Sequence, residues 1–451
     1  MRQNRQDLLL HEPNLYKAFF ILAMPIFFSN LLKSLHDIVD TYFLAKIPDS
    51  VSAQAAISIS WPLFAISMAL SMGLAVAGVS VISQNMGANK REDAQKYAGL
   101  LFSLTFTIGI VVNIILYITA PYIMKWIGAD GEVLNCSITY IRVRSFECCF
   151  MMIFTSYQSM RHAIGDMTSP VYLSTASIIL NIILTAIMVK PMGIFGAALA
   201  TLIAQIAIVP FALYKAFKPN DKLYITIKDL KLDVPKMKLL FRVAVPSAMG
   251  QAISSLGFLI LNSLILDYGA VVVAAFSIGN KVSNLLLMPM SAIGTVQASY
   301  MGQNIGANNK DRAIAAYNTG RNLGLIISAI GSLIIYPFRY QTVGALTNSA
   351  EVLEVGVEYM FWVLLLQPLM AMFQNYVGTF NGAGKTKYTM IFTLTRLWGL
   401  RLPLIWVFKN FSDLGRMGIW MAMVISNFLI LFLGHYFWSK MDFKSVIVEE
   451  K

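Results

Sequence analysis

Long apolar segments recur along the whole chain, and short polar stretches separate them. Each is long enough to cross a hydrocarbon layer, which takes about 20 apolar residues in a helix. The pattern therefore predicts an all-α membrane protein with twelve transmembrane helices. The predicted spans cover roughly residues 17–45, 53–83, 96–124, 135–162, 168–190, 193–217, 239–267, 271–303, 313–338, 355–381, 387–408 and 416–438.

The composition agrees with this interpretation. Hydrophobic residues make up 57% of the 451 residues and charged residues only 13%, whereas soluble domains carry about 25% charged residues. The net charge of +12 is also found on nucleic-acid-binding proteins, but basic residues collect in the cytoplasmic loops of membrane proteins. We therefore expect a lipid bilayer around the protein and no nucleic-acid partner.

Basic residues also predict the orientation of the chain. If the N-terminus is cytoplasmic, the inner connecting segments hold 23 Lys and Arg and the outer ones hold six. The positive-inside rule then places both termini in the cytoplasm.

The two halves of the chain repeat each other. SQNMGANKREDA at 83–94 and GQNIGANNKDRA at 302–313 are 219 residues apart, and with a small shift Pro25 aligns with Pro246. We predict an N-terminal six-helix lobe (1–217), a basic cytoplasmic linker (218–238) and a C-terminal six-helix lobe (239–451). With six spans in each half, the two bundles are expected to be related by a pseudo-twofold axis along the membrane normal, which suits alternating access.

Polar residues form a stripe on the first predicted span. Lys33, His36, Asp37 and Asp40 lie within one sector of about 100°, and Asn30 joins it. The aligned positions of the seventh span carry no charge. This asymmetry favours a function confined to the N-terminal half, although ion pairs that only stabilise the helix remain an alternative. A buried carboxylate can take up and release a proton or Na⁺, so Asp40 is the main candidate for cation coupling.

Motifs spread over the full chain resemble those of the multidrug and toxic compound extrusion (MATE) family, within the multidrug/oligosaccharidyl-lipid/polysaccharide exporter superfamily. They include MPIFFSNLLKSLHDIVDTYFL (24–44), AIGDMTSP (163–170), NIILT (181–185), GAALAT (196–201) and FNGAGKTK (380–387). The resemblance implies an H⁺- or Na⁺-coupled antiporter of a bacterial cytoplasmic membrane. It would export amphipathic, often cationic, small molecules by alternating access, with no cofactor besides the coupling ion and a monomer sufficient for function.

The same resemblance implies a set of cation-coupling residues. An aspartate at the place of Asp40 carries coupling in the family, together with positions that correspond here to Asn181, Thr185, Ala197 and Thr201. The family has aspartate where this chain has Thr185, so the site lacks one negative charge and would bind Na⁺ less well. His36 titrates near neutral pH and offers a proton route, and Asp37, which follows it in the stripe, is a further candidate for cation coupling. The choice between H⁺ and Na⁺ stays open.

Other candidates concern motion and the substrate cavity. Pro25 interrupts helical hydrogen bonding inside its span, and the resemblance implies that bending there closes the N-terminal cavity. Flexible methionines can line a pocket for varied ligands, although ordinary packing explains any single one. The candidate cavity residues are Asn30, Met68, Met72, Met288 and Met290.

Five basic residues in or near the spans keep a second function open. If they converge on the cavity, they suit a flippase for a lipid-linked oligosaccharide, because guanidinium groups bind phosphate. At the membrane surface they would be anchors, the role that Arg401 is expected to have near the outer end of its span. No nucleophile motif or metal-ligand spacing is evident, so an enzyme is not expected, nor a metal beyond Na⁺ at Asp40. The five residues are Arg142, Arg144, Lys281, Arg396 and Arg401.

Overall fold

Helices make up almost all of the computed structural model, which describes residues 5–44, 50–219 and 222–447. No β-strand occurs in these ranges, so the all-α prediction is confirmed. A π-helical segment, Thr395–Arg401, joins α12 to α13. The helices are α1 Arg5–Leu10, α2 Leu15–Leu44, α3 Ser50–Gly87, α4 Arg91–Trp126, α5 Gly131–Ala163, α6 Thr168–Phe217, α7 Val234–Leu266, α8 Ala270–Gly306, α9 Lys310–Ile335, α10 Arg339–Gly344, α11 Ala350–Gly382, α12 Thr386–Leu394, α13 Leu402–Phe411 and α14 Arg416–Ser439.

Ten helical segments in the described ranges are long and apolar enough to cross a membrane. Two features account for the difference from the predicted twelve. Helix α6 has 50 residues and contains two predicted spans, which separate at Gly193. Helix α5 has 33 residues but carries Arg142, Arg144 and Glu147, so it is more polar than the ten. With α6 divided and α5 included, the predicted twelve-helix membrane architecture is confirmed.

A glycine lies at an equivalent helix interruption in each half of the chain. Gly193 has φ 56° and ψ −135°, and Gly415, immediately before α14, has φ 55° and ψ −136°. They are 222 residues apart, the spacing that also aligns Gly196 with Gly418. A side chain would strain this backbone conformation. The repeat therefore preserves the same backbone turn in both halves.

The repeated QN–GAN motif forms the same helix end twice. Asn89 and Asn308 adopt positive φ values of 57° and 55°, as is common for asparagine just beyond a helix C-terminus. The Asn85 and Asn304 side chains each donate to the carbonyl four residues earlier, at 2.9 Å. The repeated sequence motif thus forms the same helix C-terminal geometry in both halves.

The chain forms two compact units, and helices α2 and α7 each contribute residues to both units. The first unit contains Phe28–Ala248, and the second contains Asp7–Phe27 together with the chain from Met249 on. In α2, the change from the second unit to the first unit lies two residues beyond Pro25. In α7, the change from the first unit to the second unit lies two residues beyond Pro246. The boundaries between the two units therefore lie inside two equivalent helices, whereas the predicted linker at 218–238 separates the two halves of the sequence repeat.

The N-terminal segment is held within the second unit by directed contacts. The Tyr300 hydroxyl donates to the Leu8 carbonyl at 2.8 Å, and the Arg312 guanidinium donates to the carbonyls of Leu9 at 3.0 Å and Glu12 at 2.8 Å. Phe19 stacks on Tyr300 with ring centroids 4.7 Å apart. These contacts fix the start of α2 to the second unit.

Candidate functional site

Helices α2 and α6 are joined in the first unit by hydrogen bonds between polar side chains. His36 Nε2 lies 2.7 Å from Asn181 Oδ1, and the Thr185 hydroxyl donates to the same oxygen at 3.1 Å. Because an amide oxygen only accepts hydrogen bonds, His36 Nε2 is the donor. Asn181 is 3% exposed and Thr185 is 1% exposed. The structure thus brings three of the predicted coupling residues into one partly buried contact, named here the His36–Asn181–Thr185 cluster.

The second ring nitrogen of His36 faces a carboxylate. His36 Nδ1 lies 3.6 Å from Asp37 Oδ1, and the side chains are 14% and 71% exposed. A proton on Nδ1 would place the imidazolium charge beside this carboxylate. His36 therefore connects an exposed acidic group to the buried side chains on α6.

The other predicted coupling residues lie on the same two helices. After Gly193, the Thr201 hydroxyl donates to the Ala197 carbonyl at 3.1 Å. Asp40 falls within the range of α2, one turn after His36, but its side chain lies outside the described part of the structure. No group of three or more His, Cys, Asp or Glu side chains in the described ranges is placed to hold a metal ion.

The hinge and cavity candidates occupy varied surroundings. Pro25 lies inside α2 and is partly buried, as is Asn30 farther along the same helix. Met72 is 49% exposed, whereas Met290 is 2% exposed and lies in the interior of the second unit. The remaining two methionines, Met68 and Met288, are partly buried.

The arginines of the first unit have partners. Arg144 Nε donates to Glu147 Oε2 at 2.7 Å, and its Nη1 donates to the Tyr140 hydroxyl at 2.8 Å. Arg142 lies over the ring of Tyr117, with Cζ 4.9 Å from the ring centroid. The charge of Arg144 is therefore neutralised within its own helix.

Arg396 and Arg401 of the second unit are buried without a carboxylate partner in the described ranges. Arg396 and Arg401 are each 6% exposed, so the expected anchoring role of Arg401 at the membrane surface is wrong. Arg396 Nη1 donates to Asn427 Oδ1 at 3.3 Å, and Arg401 Nε donates to Ser426 Oγ at 3.2 Å. Within the described ranges, no acidic group lies within 4.0 Å of either. Sequence inspection noted both residues but had no signal for their burial.

The π-helical segment explains how these two arginines come together. In a regular α-helix, residues five apart point about 140° away from each other. In a π turn, the i→i+5 hydrogen bonds bring such residues towards one face, and Arg396 and Arg401 are the second and last residues of this segment. Both therefore reach neighbouring residues of α14. Local helix geometry, which the sequence pattern did not reveal, creates the pair.

The two buried charges of this arrangement have no counterion in the described ranges. Arg396 Cζ lies 4.0 Å from the ring centroid of Phe373, and such cation–π contacts contribute about 0.5–2 kcal/mol. Burying an unpaired ion costs several kcal/mol even after relaxation. The Arg396 Nε also has no hydrogen-bond partner in the described ranges. The hydrogen bonds and the ring offset part of this cost, and a counterion would offset more of it.

Comparisons with known proteins agree with the twelve-helix fold. The MatE family model matches residues 25–187 and again residues 246–407, and the two matches begin at the aligned prolines. The chain is 25% identical to the probable multidrug resistance protein YoeA of Bacillus subtilis, over 97% of both chains. It is also 25% identical to the probable multidrug resistance protein NorM of Thermotoga maritima, over 97% of this chain and 96% of the relative.

Among solved structures, the fold matches an outward-facing multidrug resistance MATE family transporter of the MOP superfamily. The TM-score is 0.91 at 24% identity, and the match covers 98% of each chain. Since the family model matches the chain twice and the two matches together cover most of it, the repeat is a duplication of the family unit. The protein therefore belongs to the MatE family of multi-pass membrane transporters, the multidrug and toxic compound extrusion proteins.

Proposed function

We propose that the protein exports amphipathic, often cationic, compounds by alternating access, in exchange for H⁺ or Na⁺ that flows inward. Membership of a family of membrane transporters supports small molecules as the cargo, and the names of its relatives support drugs among them. The observation that carries the coupling proposal is the His36–Asn181–Thr185 cluster, because it links a titratable group on α2 to buried polar groups on α6.

The hydrogen bonds of this cluster favour protons over Na⁺. Asn181 Oδ1 already accepts from His36 and Thr185, and the Ala197 carbonyl accepts from Thr201. A sodium ion would have to displace these donors, and the site lacks the carboxylate that the family has in place of Thr185. A proton needs only one acceptor. We therefore assign H⁺ as the coupling ion, with Asp40 as its main acceptor and His36 in its path.

The placement of α2 links this titration to a conformational change. The helix begins in the second unit and continues in the first after Pro25, so bending at the proline changes the position of every group beyond it. In the proposed cycle, the cavity binds its substrate while Asp40 is ionised. Protonation from outside then alters α2 and releases the substrate. The membrane potential contributes about 2.3 kcal/mol per charge for each 100 mV.

The remaining features of the proposal follow from the sequence. We place both termini in the cytoplasm of a bacterial cell, because of the distribution of basic residues, and we expect a monomer to be sufficient. No cofactor or enzymatic activity belongs to the proposal. The alternative, a flippase for a lipid-linked oligosaccharide, is favoured only by the buried arginines of the second unit, so drug export is the function to test first.

The decisive experiment is ethidium efflux from cells that carry the wild type or Asp40→Asn, with pH and Na⁺ gradients imposed separately. We expect the pH gradient to drive efflux and Asp40→Asn to abolish it. Glu354→Gln is the control, since it also converts an exposed carboxylate to an amide, but on α11, and it should retain more than half of the activity. Efflux that follows only the Na⁺ gradient would contradict proton coupling. No efflux from well-expressed wild type, with an envelope defect on deletion, would favour the flippase.

A further inference from the structure

The buried arginines of the second unit form a polar group on the helices that correspond to the coupling helices of the first. The π-helical segment between α12 and α13 carries Arg396 and Arg401, and α14 supplies Ser426 and Asn427. In the repeat, these elements correspond to the two halves of α6, which carry the predicted coupling residues. Each unit therefore has polar groups at the same place in the fold, but their chemistry differs.

Several donors of the pair are left for a ligand. A guanidinium has five N–H donors. Among the described residues, the neutral atoms around Arg396 accept only from its Nη1: Asn427 Oδ1 at 3.3 Å and the Met370 sulfur at 3.1 Å. Its Nε has no partner in the described ranges. Arg401 donates to Ser426 through Nε at 3.2 Å. The pair thus lacks acceptors as well as negative charge.

Nearby acidic groups do not supply the missing charge. Glu358 is next in sequence to Tyr359, which packs near Arg401, but the Glu358 carboxylate accepts from Arg416 at 2.8 Å and 3.0 Å. The Tyr359 hydroxyl donates to Asn280 at 3.3 Å. Buried guanidinium groups are stabilised by planar oxyanions, whose two oxygens match the geometry of the N–H donors.

We propose that Arg396 and Arg401 form a binding site for the carboxylate or phosphate group of an amphipathic ligand. Phe373 beside Arg396, and Tyr359 and Trp420 with ring centroids 4.2 Å apart, are buried rings of the surrounding core, so the site recognises the acidic group of the ligand. As cargo, this ligand class extends the proposed exporter to acidic and zwitterionic compounds. That extension rests on the proposed function, whereas binding to the arginines does not.

The test is direct binding to the full-length protein in phosphatidylcholine nanodiscs, measured by fluorescence anisotropy. Fluorescein carries a carboxylate on a xanthene ring system, and tetramethylrhodamine methyl ester has the same ring system with a positive charge. We expect saturable fluorescein binding that Arg396→Gln and Arg401→Gln each weaken about tenfold or more. The cationic dye should bind these variants within about twofold of the wild type.

Two further variants keep the result interpretable. Arg142→Gln removes the same charge from a partly exposed arginine of the first unit and should leave fluorescein binding unchanged. Arg396→Lys keeps the charge but loses the paired donors, so it should weaken binding even if Arg396→Gln fails to fold. No saturable fluorescein binding, equal binding by wild type and all variants, or an equal loss in Arg142→Gln would overturn the proposal.

A second arm distinguishes a soluble ligand from a lipid headgroup. In phosphatidylglycerol nanodiscs, a headgroup phosphate that occupies the arginine pair would weaken fluorescein binding by the wild type but not by the two glutamine variants. Equal affinity in both lipids would identify the site as one for soluble oxyanions. Because no ion gradient is applied, a failure of proton-coupled efflux would leave this binding result unaffected.

Discussion

The two units share a backbone plan but differ in the charge of their polar interiors. In the first unit, the Arg144 charge is balanced by Glu147, and the His36–Asn181–Thr185 cluster carries no fixed charge among its three side chains. In the second unit, Arg396 and Arg401 are buried without a carboxylate in the described ranges. Under the two proposals above, one half of the duplicated fold carries a site for a cation and the other half a site for an anion.

This comparison shows which features a duplication preserves. The αL asparagines, the glycine turns and the leading-helix prolines recur because each meets a backbone requirement that both halves share. Buried polar side chains are not needed for the helices to form, since apolar packing supports both units. They are therefore free to diverge, and their divergence gives the two halves different chemistry.

The largest effect on stability is expected from substitutions of two arginines that differ in their partners. Arg144→Met leaves the buried Glu147 unpaired and should lower the free energy of unfolding by about 3–5 kcal/mol. Arg396→Met removes an unbalanced charge and should raise the thermal melting temperature instead. Thermal unfolding in one detergent measures both. A melting temperature lowered by both substitutions would show that Arg396 is held by its neutral neighbours, and the contrast between the units would be lost.

A smaller effect is expected at a close crossing of α8 and α11 in the second unit. A Cβ at Gly378 on α11 would clash with the carbonyl oxygen of Gly294 on α8, so Gly378→Ala should lower the free energy of unfolding by about 2 kcal/mol. The aligned residue in the first unit is Ser159, whose hydroxyl donates to the Thr155 carbonyl at 2.8 Å. Ser159→Ala adds no atom and should cost less than half as much. Similar melting temperatures for the two variants would mean that α8 and α11 separate readily.

Substitution of His36 is expected to change the efflux rate about tenfold. His36→Gln can still donate to Asn181 but cannot take up a proton, so efflux driven by a pH gradient should fall about tenfold, equivalent to about 1.4 kcal/mol. Its remaining activity should also vary less with pH between about 5.5 and 7.5, where histidine titrates. Rates are measured as initial ethidium efflux, normalised to protein in the membrane. A pH profile identical to that of the wild type would exclude His36 from the proton path.

The smallest effect on efflux is expected from substitutions of the prolines inside α2 and α7. Pro25→Ala restores a hydrogen-bond donor inside α2, straightens the helix and should slow efflux about threefold, equivalent to about 0.6 kcal/mol. Pro246→Ala makes the same change in α7, which has no charged stripe beyond its proline, and should slow efflux less. Equal rates for Pro25→Ala and wild type would remove the hinge, while a greater loss from Pro246→Ala would move it to the second half.

The candidate site shows how far sequence reasoning reached. Asn181, Thr185 and His36 were identified from polarity within spans and from family motifs, and the structure places their side chains together. The role of Asp40 stays a prediction. The anchoring role of Arg401 was wrong because position along a span gives depth in the membrane but not the direction in which a side chain points. The π turn that decides this direction has no signature in the hydrophobic pattern.

The sequence alone determined the class of fold, the repeat and the family, because about 20 apolar residues per span and a duplicated set of turn residues are local properties of the chain. Only the tertiary structure decided which polar groups meet. Contacts such as His36 with Asn181, 145 residues apart, depend on how separate helices pack and rotate against each other. Packing also decides where α2 and α7 change from one unit to the other, and that Arg396 and Arg401 meet neutral side chains of α14. It selects among arrangements that satisfy the same hydrophobic pattern.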